Sequence, residues 1–176
     1  MWVNFMFVLS GDTSLSICYV YVSDAASIGL LHGELCRGIY GFVKCQLHFK
    51  KMSRKYKNKC IRIVLDFADK SVFSGIIESY VIVPKRGKLK YARKCFYGLI
   101  KSILDKFDIK EIIYPSDFYK IDPNLVSRMK TMLGRYADIN MMIMDNHDAV
   151  EIADIIVNVY RIKRKIFLQN MVALVC

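Results

Sequence analysis

The second half of the chain alternates segments of helical and strand-like character. Residues 89–107 carry apolar side chains at helical spacing, whereas 110–115 and 139–144 are short, strand-like and apolar. An Asp-Pro pair at 122–123 is typical of a helix start, and a last helix follows from about residue 147. Helices that alternate with strands commonly connect parallel strands, so this half predicts an α/β layer with a partly parallel sheet.

The first half begins with a predicted hairpin, in which strands 3–9 and 16–22 surround the polar turn SGDTS. An amphipathic helix is predicted over 25–39. The remaining elements predicted for this half are a helix over about 45–58 and strands over 60–67 and 75–83. An antiparallel start joined to an α/β second half predicts a mixed β-sheet flanked by helices.

Length and composition indicate one folded domain covering residues 1–176. Hydrophobic residues make up 54% of the chain, which is enough for a substantial core. The apolar start lacks a basic leader and the apolar C-terminal tail is too short to span a bilayer, so we expect a cytoplasmic protein without a membrane partner. That tail would suit a terminal strand or the intersubunit strand of a homodimer.

The six cysteines include no CxxC pair, so their spacing does not predict a structural zinc site. Without a secretory signal, buried free thiols are the simpler expectation. Of the histidines, His32 is expected on a helix surface, His48 beside basic residues in a surface role, and His147 as a cap of the last helix.

Basic residues are concentrated in three stretches that contain no acid. The net charge is +11, and 16 of the 27 Lys and Arg residues lie in 48–59, 84–94 and 161–165. Clustered cations of this kind predict a surface for a polyanion, with nucleic acid, DNA or RNA, as the leading candidate. The expected contacts with the phosphate backbone are Lys50, Lys51, Arg54, Lys55, Lys85 and Arg86.

The last helix carries a polar stripe on an otherwise apolar segment. His147, Glu151, Asp154, Asn158 and Arg161 follow one another at intervals of three or four residues and therefore share one face. Such a stripe is commonly the wet side of a helix. Carboxylates on a mostly buried helix would otherwise have to be paired or to bind a metal.

Several short motifs together resemble an RNase H-like family of uncharacterised function whose members usually start with a DESGD strand. They are FVLSGDTS near the start, QLHFKKMSRKYKNK, the strand that ends in YPSD, and VEIADIIVNVYR in the last helix. The resemblance covers nearly the whole chain, although each motif is short. It implies an α/β, RNase H-like fold with a mixed β-sheet flanked by helices.

The resemblance also implies metal chemistry. In RNase H-like nucleases, acids from the first strand, a later strand end and the last helix bind Mg²⁺ or Mn²⁺, which can promote phosphodiester hydrolysis. The acids that match are Asp12, Asp117 and Asp154. The first-strand Asp-Glu pair of the family is replaced by Val8 and Leu9, and this departure favours an inactive nucleic-acid-binding relative as the alternative.

A second alignment resembles the RuvC-like resolvase branch of the same superfold. There IRIVLDFADKSVFSGII supplies the first strand, with Asp66 as its acid. Asp117 would be the second acid, and Asp148 or Asp154 the third. The sequence thus predicts a nucleic-acid-binding protein, either a metal-dependent nuclease or a relative that has lost catalysis.

Overall fold

The computed structural model describes residues 5–12, 17–69, 76–83, 89–116, 139–163 and 171–175, together with 124, 127–128 and 131. The strands are β1 (Phe5–Asp12), β2 (Ile17–Asp24), β3 (Ile76–Val83), β4 (Ile109–Tyr114), β5 (Asn140–Ile143) and β6 (Met171–Val175). The α-helices are α1 (Ala25–Tyr40), α2 (Arg54–Asp69), α3 (Leu89–Lys106) and α4 (Asp148–Lys163), and Phe49–Lys51 forms a short 3-10 helix.

The described strands form a mixed sheet in the order β5-β4-β1-β2-β3-β6. β1, β2 and β3 are antiparallel neighbours, whereas β4 runs parallel to β1, β5 parallel to β4 and β6 parallel to β3. The apolar C-terminal tail is therefore a terminal strand at one edge of this sheet.

Helix α4 lies at the centre of the described core. It packs across β1 and β2, and helices α1 and α2 pack on it in turn. From Ala149 to Val159 its side chains are buried apart from a partly exposed Asp154, because the apolar residues surround the helix on nearly every side. The helix thus carries a wide apolar surface and few polar positions.

The predicted fold class needs a correction. An RNase H-like α/β domain with a mixed β-sheet flanked by helices was expected. The described elements depart from this expectation, because residues 60–67 lie in a helix rather than in a strand. Two α-helices and the 3-10 helix separate β2 from β3, and β6 adds an edge strand. The RNase H-like assignment is not retained.

The predicted strand over 60–67 is wrong, because these residues belong to α2. The run CIRIVLDF is rich in branched side chains, which favours a strand by composition. Its buried members Cys60, Ile61 and Val64 are spaced one and three residues apart, as on one face of a helix, while Arg62 and Asp66 are exposed. Burial against α1 and α4 therefore decides the conformation of this segment.

Candidate nucleic-acid interface

The segment that follows α1 brings polar residues to the side of α4. α1 ends at Gly41, which has a left-handed φ of +82° and whose N–H donates to the Arg37 carbonyl (3.0 Å). A disulfide between Cys36 and Cys45 closes the loop that follows, and this corrects the expectation of free thiols for these two cysteines. Cys60 is free and buried, as expected.

Two successive residues of this segment reach two acids of α4. The N–H of Leu47 donates to Glu151 Oε2 (2.8 Å), and His48 Nδ1 lies 3.7 Å from Asp154 Oδ2. Glu151 and Asp154 are three residues apart, so they lie on neighbouring turns of one helix face. The segment thus connects with α4 at two adjacent points.

Glu151 is part of a fully buried polar network. Its Oε2 lies 2.7 Å from His32 Nε2 and also accepts the Leu47 amide, and its side chain is 8% exposed. His32 is buried on α1, with Nδ1 3.8 Å from Cys36 Sγ, so the prediction of a surface histidine is wrong. Asp148, a predicted metal ligand, is exposed at the start of α4, 3.6 Å from His32 Nε2.

Asp154 is more exposed than Glu151 and has different hydrogen-bond partners. Its side chain is 23% exposed, and its Oδ1 accepts the Asn158 side-chain amide (3.0 Å). Among the described residues its buried Oδ2 has no hydrogen-bond partner. Burial raises the pKa of Asp154, while the positive potential of His48, the Phe49 N–H and Lys50 acts in the opposite direction. Among the described residues, Asp154 therefore has a buried oxygen whose hydrogen-bonding capacity is unfilled.

An open pocket of about 410 Å³ lies between this segment, the start of α4 and the ends of β4 and β5. It is lined on one side by Tyr40, Gln46, Leu47, His48 and Lys51, and on the other by Pro115, Ser116, Asp145, Asn146, Val150, Glu151 and Asp154. Gln46 donates to Asn146 Oδ1 (2.9 Å), and Asp145 Oδ1 accepts the Ser116 N–H (2.7 Å). The first of these hydrogen bonds joins the two sides of the pocket, and the second connects the segments that follow β4 and β5.

His147 caps α4, as predicted. Its Nδ1 accepts the Ala149 N–H (3.1 Å), and its carbonyl accepts the N–H groups of Val150 and Glu151. This cap fixes the start of the helix that carries Glu151 and Asp154. The polar stripe of the last helix is not its solvent-facing side, because Glu151 and Asn158 are buried.

Among the side chains that the structure describes, the predicted acids do not form one cluster. Asp12 is the last residue of β1, and its side chain lies outside the described part of the protein. Asp66 is exposed on α2 rather than at a strand end, so the RuvC-like alignment is wrong. Asp117 lies outside the described residues.

Among the residues that the structure describes, no group of three His, Cys, Asp or Glu side chains could hold a metal ion. Through one oxygen each, Glu151 accepts two donors, Asp145 accepts a backbone amide and Asp154 accepts the Asn158 side-chain amide. Asp154's neighbours His48 and Lys51 are basic, and cations of this kind oppose a divalent metal. The described residues alone therefore do not fit a Mg²⁺ or Mn²⁺ site.

The predicted phosphate contacts of the first basic stretch lie together. Lys50, Lys51, Arg54 and Lys55 are exposed on the 3-10 helix and the start of α2, and we call these four residues the basic surface. Lys51 also lines the pocket. Lys85 and Arg86 lie outside the described residues.

The described helices include none that is both long and apolar enough to cross a membrane. Comparison with known protein families, with curated proteins and with solved structures finds no match to this chain. The family resemblance of the short motifs therefore stays a prediction.

Proposed function

We propose that this protein binds nucleic acid, with the phosphate backbone lying on the basic surface beside the pocket. The observation that carries the proposal is the position of that surface. From residue 35 to residue 65 the chain has nine Lys and Arg residues and no acid, and Lys51 of the basic surface lines the pocket. Exposed cations grouped in this way attract a phosphate backbone without reading its sequence.

One side of the pocket offers donors to an anionic ligand, and three carboxylates line the other side. Lys51 supplies a positive charge, and the amide groups of Gln46 and Asn146 can donate hydrogen bonds. A volume of about 410 Å³ is in the range of pockets that hold small ligands or one unit of a larger one. A phosphodiester group of a bound strand would meet donors on the side of the basic surface.

Metal-dependent hydrolysis by Mg²⁺ or Mn²⁺ is the second candidate function, and one observation favours it. The buried Oδ2 of Asp154 has no hydrogen-bond partner among the described residues, and Asp154 lines the pocket. An acid with an unpartnered oxygen at the pocket, next to the basic surface, is one of the ligands that a nuclease would need. A complete site would require further acids, for which Asp117 is the sequence candidate.

Binding is tested by fluorescence anisotropy with labelled oligonucleotides over a series of salt concentrations. The triple variant Lys51→Gln/Arg54→Gln/Lys55→Gln should weaken binding at least tenfold at low salt. On a duplex it should also reduce the slope of log Kd against log salt by roughly 2 to 3, since each lost phosphate contact contributes about 0.9. The same samples, incubated with Mg²⁺ or Mn²⁺, report cleavage, which Asp154→Asn should abolish if the second candidate holds.

The matched control is Lys101→Gln/Lys106→Gln/Arg128→Gln. It removes the same charge from three exposed positions outside residues 35–65 and outside the three basic stretches. Equal losses in the two triple variants would mean that net charge alone causes binding. Absence of salt-sensitive binding by the unmodified protein would refute the proposed function.

A further inference from the structure

The loop between α1 and the pocket exposes two large apolar side chains. Phe42 is 67% exposed and Val43 is 68% exposed, and Lys44 next to them is exposed as well. We call residues 41–44 the apolar loop. Large apolar side chains at such exposure commonly mark a contact surface when they are grouped.

The apolar loop is held in place on several sides. Gly41 closes α1 through its bond to Arg37, and the Cys36–Cys45 disulfide ties the end of the loop back to α1. The Val43 carbonyl also lies close to Gly33, 3.9 Å from where a Cβ on that glycine would sit. A loop fastened in this way presents Phe42 with little further loss of conformational entropy on binding, which favours affinity.

Aromatic residues and cations alternate from this loop to the basic surface. Tyr40, which directly precedes the loop, lines the pocket and makes an edge contact with Tyr56 of α2, with ring centroids 5.1 Å apart. The four cations of the basic surface follow along the chain. Proteins that bind single strands commonly combine a cationic groove with aromatic side chains on which unpaired bases stack.

We infer that the apolar loop is a stacking platform for an unpaired base, so that the preferred ligand is a single-stranded nucleic acid rather than a duplex. This inference rests on the proposed function, because the basic surface supplies the phosphate contacts. The positive charge of Lys44 and the basic surface argues for this occupant over an apolar protein segment. In a duplex the base faces are covered by their neighbours, so Phe42 would have no face to contact.

The test compares a labelled oligothymidylate with a duplex of mixed sequence, using the full chain. Phe42→Ala should weaken binding of the single strand about tenfold and change duplex binding by less than about twofold. Phe42→Trp should restore single-strand binding, and its added fluorescence should be quenched when the oligothymidylate binds. Leu30→Ala is the matched control, because Leu30 is 69% exposed on α1 and lies outside the loop.

Equal losses on the single strand and the duplex, or no loss on either, would overturn the inference. If the Lys51→Gln/Arg54→Gln/Lys55→Gln variant loses binding while Phe42→Ala does not, the inference fails and the proposed function stands. If the unmodified protein binds neither probe, both fail. Circular dichroism and thermal unfolding of each variant, expected to match the unmodified protein, exclude a folding defect as the cause of lost binding.

Discussion

Glu151 and Asp154 lie on one face of the same helix, three residues apart, yet the protein surrounds them in opposite ways. Glu151 receives two close donors, His32 Nε2 at 2.7 Å and the Leu47 N–H at 2.8 Å, and is buried. Asp154 is partly exposed, with His48 at 3.7 Å and a buried oxygen that lacks a hydrogen-bond partner among the described residues.

The difference separates a structural acid from a candidate ligand-binding acid. A buried carboxylate with complete hydrogen bonds ties α1, α4 and the segment before the 3-10 helix together. A carboxylate with an unpartnered oxygen at a pocket costs stability, and such a cost is typical of a functional site. Leu47 and His48 are adjacent in the chain, so one segment contacts both acids.

The largest effect on stability is expected for the Glu151→Ala variant. This change leaves His32 Nε2 and the Leu47 N–H buried without an acceptor, and we expect the free energy of unfolding to fall by about 3 kcal/mol. Urea denaturation measures it. The control Glu34→Ala removes an acid of α1 that is about half exposed and pairs with Arg37, and should change stability by less than about 0.5 kcal/mol. Similar values for the two variants would contradict a structural role for Glu151.

Reduction of the Cys36–Cys45 disulfide should be the next largest effect. The cross-link joins residues nine positions apart, and the chain-entropy model gives roughly 2.5 kcal/mol for a loop of that length. We expect a reductant to lower the free energy of unfolding by that order and to weaken single-strand binding, because the apolar loop is then less fixed. The double variant Cys36→Ala/Cys45→Ala should no longer respond to the reductant. Unchanged stability on reduction would show that the bridge does not constrain the loop.

Gly41→Ala tests the left-handed turn at which the chain leaves α1. A side chain is strained at a φ of +82°, so we expect a loss of about 1 kcal/mol in the free energy of unfolding. Gly98→Ala is the control, since Gly98 lies on α3 with open space around it and should be neutral or stabilising. Equal changes in the two variants would argue against a strained turn.

Of these changes, Asp154→Asn should have the smallest effect on the free energy of unfolding at low pH. It should also change how the free energy of unfolding depends on pH. Because the pKa of Asp154 is raised in the folded protein, Asp154 contributes fully to the free energy of unfolding below its ordinary pKa of 3.8. That contribution is lost as pH rises through the pKa of the folded protein. The variant should lack that decline in urea denaturation measured from acid to neutral pH. It should also bind an oligonucleotide about twofold more tightly, since a negative charge beside the basic surface is removed. A steeper decline in the variant would contradict the assignment.

Patterns within short segments predicted much of this structure. The hairpin of β1 and β2, the position of α3, the strands β4 and β5 and the cap at His147 follow from spacing, turn residues and capping residues. The location of the basic surface also follows from the sequence, because six cations lie within twelve residues.

Contacts between distant residues could not be predicted in the same way. His32 and Glu151 are 119 positions apart, so nothing near His32 marks it as buried. The segment CIRIVLDF fits a strand by composition and a helix by spacing, and only packing against α1 and α4 decides between them. The Cys36–Cys45 pairing depends on how the loop after α1 folds back. Composition and spacing do not predict that geometry.

The most direct test of where nucleic acid binds is an NMR titration of the isotopically labelled chain with an oligothymidylate. We expect amide signals to shift in the apolar loop, in residues 46–55 and near Asp154, while signals of α3 stay in place. Shifts concentrated on α3, or spread evenly over the protein, would contradict it.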